Sequence, residues 1–260
     1  MKSVAELRER FKTAVDRMDG TQRLGMLAMA FQVRRLLPVD RAYAMGNGLY
    51  WIEDVCVGRS AGDSDYPITA PGFVYDGIND AKLADEYLSA ALHVAVNFLA
   101  PLADWIISVH QYTQDEMLFM LSRCPLVDQS HTRQCVKALL YGALGDYATA
   151  AQLCAIQIEH MVRFSLENNG FEVNTKDGRP KGLGALLLDR TMSHSMALEP
   201  LKEMIYIFTA SEKGMNVRNL FAHGNLTDRE LEGIETFYIW WLFLRIVVSM
   251  KTRLKTKVKR

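Results

Sequence analysis

Alternation of polar and apolar residues is scarce along this chain, and with it goes the case for a sheet. Few windows alternate as strands do, whereas apolar positions recur three and four residues apart throughout. Net charge is missing as well. Lys plus Arg and Asp plus Glu balance at 30 each, so overall charge argues neither for nor against a polyanionic partner. Cysteine is sparse: Cys56, Cys124, Cys135 and Cys154 show neither the CxxC spacing of a zinc site nor the density of a disulfide scaffold, and read as buried free thiols in a reducing compartment. No metal cluster is legible, since His110 and His131 stand isolated and the acidic residues lack a matching histidine in sequence. The opening Met1-Lys2-Ser3-Val4-Ala5-Glu6 has no apolar signal core, so secretion is not expected and cytoplasmic residence is. No fixed-period repeat is present.

What is present is enough apolar material to fold. With 260 residues and 49% hydrophobic content, the chain can bury a substantial core as one large or two ordinary domains. The charge is unevenly placed: Lys251, Arg253, Lys255, Lys257, Lys259 and Arg260 crowd the last ten residues, leaving 24 basic against 30 acidic residues before them. A cationic tail on a mildly acidic body suits contact with phosphate, and Lys251, Arg253 and Lys255 are the candidate RNA contacts within it. The run Phe237–Met250 is strongly apolar, but it is shorter than the roughly 20 residues a bilayer requires and carries Arg245. It reads as a core helix. Its basic flank leaves association with an anionic membrane surface as a minor alternative. Trp240 and Trp241, inside that run, fit core packing or a dimer interface better than a base-stacking platform.

The periodicity predicts an all-α chain. Helices are expected over 3–17 and 21–36, separated by Asp19-Gly20, with a turn-rich loop or linker at 57–79. Further helices are expected over 80–99, 101–111, 114–123 and 129–143, and a long one over 146–168 with Asp146 as N-cap and Asn169-Gly170 as its stop. A polar excursion, Asn174–Gly182, fits a short hairpin or a mobile loop. Helices at 183–190, 198–209 and 213–223, then one from 228 into the tail, complete the pattern. The expected organisation is an N-terminal helical segment of unknown role over 1–125 and a helical bundle with a basic tail over 126–260.

The chemistry concentrates in Asn216-Val217-Arg218-Asn219-Leu220-Phe221-Ala222-His223-Gly224. Gly224 suits the left-handed residue that ends a helix, and Thr227-Asp228-Arg229-Glu230 fits a capping box that starts the next. His223 therefore falls in the last turn of its helix, where the dipole favours imidazolium and suits a general acid or base. Asn219, four residues earlier, shares its face, and Arg218 is long enough to swing toward the same pocket. A guanidinium, an amide and an imidazole converging on one phosphate suit RNA cleavage by the 2′-hydroxyl, which needs proton transfer and positive charge but no metal or other cofactor.

Arg-x-x-x-x-His at a helix end resembles the signature of the HEPN superfamily. The fuller Arg-Asn-x-x-x-His-Gly resembles a HEPN-like family defined by that motif, number 4209 among the domains of unknown function. Gly145-Asp146-Tyr147-Ala148, the segment Gln157–Arg163 and Gly182–Leu187 extend the similarity, which covers about residues 130–250. The resemblance implies a four- or five-helix bundle that pairs with a second copy, so that two Arg-His motifs form one composite site for metal-independent RNA cleavage. It also implies a place among anti-phage defence effectors or toxins, or among relatives that have lost activity and bind a partner protein or nucleotide.

Each candidate has a plainer reading. Arg218 and His223 could simply offset unpaired carbonyls at a helix end. Glu159 and Arg163, four apart on the long helix, make either an ordinary surface ion pair or a support in which Glu159 orients Arg218 or His223. His160, about 100° around the helix from Glu159, is not expected to serve the same pocket and instead packs or is exposed. The reading that combines these features is an endoribonuclease acting as a homodimer, with His223 as general acid or base, Arg218 as phosphate stabiliser and Asn219 as positioning residue. The alternative is a non-catalytic helical module, its first 125 residues acting as an adaptor.

Overall fold

The computed structural model describes residues 3–30, 88–89, 91–188, 205 and 215–250, with the backbone of the last helix followed to Lys257. The expected loop at 57–79 and most of the expected helix at 198–209 lie outside these residues.

The described chain is all-α. Helix α1 (Val4–Val15) starts at Ser3 and α2 (Gly20–Met29) at Asp19, each through a reciprocal capping box. The expected break at Asp19-Gly20 is thus an N-cap. Helix α3 runs through Ala91–Ser108 without the expected interruption at Pro101. Its segment Ala95–Leu99 is π-helical, with the Ala100 amide bonded to the Ala95 carbonyl, and this wider turn lets the helix pass a residue that has no N–H to donate. By length and composition α3 would also pass for a membrane span, yet its Phe98, Leu99, Leu102 and Ile106 are buried in the core.

Helix α4 (Gln114–Leu121) is capped by Thr113, and a 3-10 turn over Gln129–His131 leads into α5 (Thr132–Ala143). Gly145, at φ 85°, turns the chain into α6 (Tyr147–Glu167), with Asp146 accepting from the Thr149 amide at 3.0 Å as its N-cap. Helices α5 and α6 form a tightly packed helical hairpin. After α6 the chain makes a hairpin-like turn: Thr175 N–H donates to Arg179 O at 2.7 Å, Lys181 N–H donates to Val173 O at 3.0 Å, and Gly178 sits at φ 80°. Short helices α7 (Leu183–Leu188), α8 (Val217–Ala222) and α9 (Asp228–Leu231) precede the long α10 (Ile234–Lys257).

Two of these late elements differ from expectation. The helix expected over 213–223 begins only at Val217, because Asn216 is left-handed at φ 48° and ψ 33°, a conformation that asparagine tolerates better than most residues. The helix expected from 228 onward is two helices. The Thr227–Glu230 capping box starts a single turn, and the chain breaks at Glu232-Gly233 before restarting at Ile234.

Helix α10 is the axis of the core. From Thr236 to Val247 every residue is buried, as a helix apolar on all sides requires. Trp241 Nε1 donates to Leu27 O at 2.9 Å and Arg245 donates to Ala28 O at 2.8 Å, so α10 satisfies carbonyls at the end of α2. Trp240 Nε1 donates to Leu139 O at 3.2 Å on α5, and its ring lies against Gly142 where no side chain would fit. Buried residues from Leu7 to Met250 form one continuous cluster, shared by helices on both sides of residue 125.

Candidate functional site: an Arg-Glu-Arg cleft between α6 and α8

Helix α8 lies against α6, and an open cleft of about 400 Å³ separates their outer faces. Its walls include Gln152, Ile156, Glu159, His160 and Arg163 from α6, and Arg218 and Phe221 from α8.

Glu159 organises the polar end. One carboxylate oxygen accepts from Arg163 at 2.9 Å and the other from Arg218 Nε at 2.8 Å. Its side chain is only 13% exposed, so this is no ordinary surface ion pair. The two arginines then diverge. Arg163 also donates to the carbonyls of Val173 and Lys181, which ties the hairpin-like segment to α6 and commits this guanidinium to structure. Arg218 donates through Nη1 to Asn219 Oδ1 at 3.0 Å and its side chain stays 39% exposed. Accepting that bond assigns the Asn219 carbonyl oxygen inward and leaves its amide N–H groups as donors. Two guanidiniums against one carboxylate leave the cleft with a net positive charge.

His223 is placed differently from the expected convergence. It is the C-cap of α8, its amide bonded to Asn219 O at 3.0 Å, with Gly224 left-handed at φ 64° just beyond, as the sequence predicts. Its side chain is exposed and does not line the Arg218 cleft. A single copy therefore brings Arg218, Asn219, Glu159 and Arg163 together but leaves His223 apart. The physical reason is helical phase: at about 100° per residue, the five steps from Arg218 turn His223 about 140° away around α8, and Gly224 closes the helix just beyond it. Lys251, Arg253 and Lys255 fall on the last turns of α10, and their side chains lie outside the described residues.

Three expectations about histidines need correction. His160 does line the cleft beside Glu159, because the opening spans a broad arc of α6 in which neighbouring residues 100° apart, such as Ala155 and Ile156, also take part. His131 is not isolated: its ring stacks on His160 with centroids 3.5 Å apart and planes 7° off parallel, and its Nδ1 pairs with Gln157 Oε1 at 3.0 Å. Burial, and then the neighbouring His131, hold the His160 imidazole below its ordinary value, while Asp128 and Glu167 pull the other way. Nor does His110 lack an acidic partner, since its Nε2 pairs with Glu116 Oε1 at 2.7 Å. That pair was readable, because Thr113-x-x-Glu116 is a capping box that aims the carboxylate back past residue 113. The His131–Gln157–His160 group had no sequence signal, since 26 residues, including all of α5, separate His131 from Gln157.

Cys124, Cys135 and Cys154 are buried, and Cys135 and Cys154 are free thiols. Burial pushes the Cys135 thiol up to about 12, so it stays protonated and unreactive.

The fold and the site together define an all-α protein carrying an arginine-walled cleft on one face. No known family model, curated protein or solved structure matches the chain.

Proposed function

We propose that this protein is a metal-independent endoribonuclease of the HEPN type, working as a homodimer. The observation that carries the reading is Arg218. Glu159 and Asn219 hold its guanidinium at the wall of an open cleft, five residues before an exposed histidine at a glycine-closed helix end. A guanidinium fixed before substrate arrives stabilises a phosphorane without reorganising, which is where preorganised charge lowers a barrier most. Asn219 adds an amide donor beside it. His223 moves the proton of the 2′-hydroxyl or of the leaving oxygen.

The separation of His223 from the cleft of its own chain supports a composite site. A second copy facing this one across α8 supplies His223 to the Arg218 cleft, and receives the same service in return. An Arg245 guanidinium turned onto a helix-end carbonyl illustrates the purely structural use of arginine, and Arg218 departs from it by remaining partly exposed. Cytoplasmic residence is part of the proposal, and the free thiols of Cys135 and Cys154 agree with a reducing compartment. A role as toxin or phage-defence effector belongs to the same reading.

The test is cleavage of single-stranded and transfer RNA in EDTA. Wild-type protein cleaves, and His223→Ala and Arg218→Ala each lose about 100-fold or more in rate. Mixing the two variants restores about a quarter of the activity, because half of randomly paired dimers are mixed and each holds one intact site. Cleavage that survives both substitutions removes the site assignment. Stable complexes with a partner protein and no RNA turnover in wild type would favour a non-catalytic binding module.

A further inference from the structure

The polar end of the cleft accounts for a phosphate but not for the rest of its shape. Ile156, one turn before Glu159 and His160 on α6, is 59% exposed, the largest exposure of any bulky apolar residue among those described. On the α8 wall of the same cleft, Phe221 is half-buried, packed against the core and also lining the cleft. An aromatic ring and a branched aliphatic side chain thus line the same cavity as a fixed guanidinium. Water is a poor occupant for such walls, and a flat apolar ligand joined to an anion is a good one. Gln152 extends the cleft by two helical turns from Glu159, about 10 Å along the axis at 1.5 Å per residue. It places an amide donor and acceptor at the end away from Arg218.

We propose that this cleft is a subsite for one unpaired nucleotide: the base lies against Phe221 and Ile156 with its edge toward Gln152, and the attached phosphate meets Arg218. The inference rests on the ribonuclease reading and narrows its substrate class to single-stranded RNA. At about 400 Å³ the cavity falls at the small end of ligand sites, which suits one splayed base and excludes a base pair. Bases stacked in a duplex present no free face to Phe221, whereas loops and single strands do. Stacking on an aromatic side chain tolerates every base, so any preference among the four comes from the Gln152 end.

The probe is 2′-deoxyadenosine 3′-monophosphate, which lacks the 2′-hydroxyl and is therefore bound without being cleaved. Calorimetric titration of the full chain is run in parallel with inorganic phosphate. The nucleotide binds at least tenfold more tightly than phosphate, and Phe221→Ala weakens nucleotide binding about tenfold or more while leaving phosphate binding unchanged. Arg218→Gln weakens both. Because Phe221 touches the core, Ile156→Ser serves as the second variant: it changes an exposed residue and weakens the nucleotide alone. Equal affinity for nucleotide and phosphate, or nucleotide binding indifferent to Ile156→Ser, overturns the subsite. Failure of the parent reading looks different: nucleotide binding that keeps this dependence in a protein that cleaves no RNA rejects the nuclease and retains the subsite. Cleavage of duplex RNA as fast as single-stranded RNA rejects the subsite and retains the nuclease.

Discussion

Replacing Glu159 with glutamine keeps the shape of the side chain and removes the charge that two guanidiniums share. In the folded protein this carboxylate accepts from Arg163 at 2.9 Å and from Arg218 at 2.8 Å while only 13% exposed. A hydrogen bond to a charged group contributes about 1.5–3 kcal/mol. Arg218 is 39% exposed, so its bond belongs at the low end of that range. Glutamine retains one oxygen and can accept one neutral bond, but it also presents an amide to one of the guanidiniums, which is donor against donor. The net loss is about 3 kcal/mol, and at 2–4 °C per kcal/mol for a chain of this size the melting temperature falls by about 6–12 °C. Differential scanning calorimetry measures it, with chemical denaturation as a second probe. Adding Arg218→Gln to complete a double-mutant cycle should return a coupling of at least about 0.5 kcal/mol. A drop of less than about 2 °C, or additive effects in the cycle, would refute the argument that Glu159 holds Arg218 in place.

Three further outcomes are expected. At left-handed Asn216, Asn216→Gly is tolerated while Asn216→Val costs more than 1 kcal/mol by denaturant unfolding, and equal stability of the two variants would show that the backbone there does not require positive φ. Gly142→Ala destabilises by about 1–3 kcal/mol because the new methyl meets the Trp240 ring, whereas Gly25→Ala, with nothing nearby, stabilises by about 0.5–1 kcal/mol; the same sign for both would contradict the packing described for α5 and α10. The third concerns pH. His160 titrates below its ordinary 6.5 in the folded protein, so the unfolded chain binds its proton first and the stabilising effect, complete above 6.5, is lost as pH falls below it. Unfolding midpoints measured from about pH 7.5 to about pH 5.5 should therefore decline, and His160→Phe should flatten part of that decline. Parallel curves for the two proteins would exclude this histidine as the source, although His131, Asp128, Glu167 and Arg163 surround it.

The amino-acid sequence by itself determined the all-α class, because periodicity, the caps at Ser3, Asp19, Asp146 and Thr227, and the glycine stops at Gly170 and Gly224 are all local signals. It also marked the run 237–250 as core, since a stretch apolar on every side and too short for a bilayer has nowhere else to go. The pairing of Glu159 with Arg163 was legible for the same reason: four residues on a helix bring two side chains together whatever surrounds them. Tertiary structure alone decided the rest. The sequence left Glu159 either in an ordinary ion pair or orienting Arg218 or His223, and only the packing of α8 on α6, 59 residues away, decided that the carboxylate holds both Arg163 and Arg218. The stack of His131 on His160 and the late start of α8 at Asn216 are likewise products of packing and of one backbone conformation that overrides helical propensity. For the candidate site, the local pattern named Arg218, Asn219 and His223, and the fold then gathered the first two beside Glu159 while leaving the histidine on the outside. The spacing of five residues turns His223 about 140° from Arg218 around α8, so one helix cannot aim both at the same cleft.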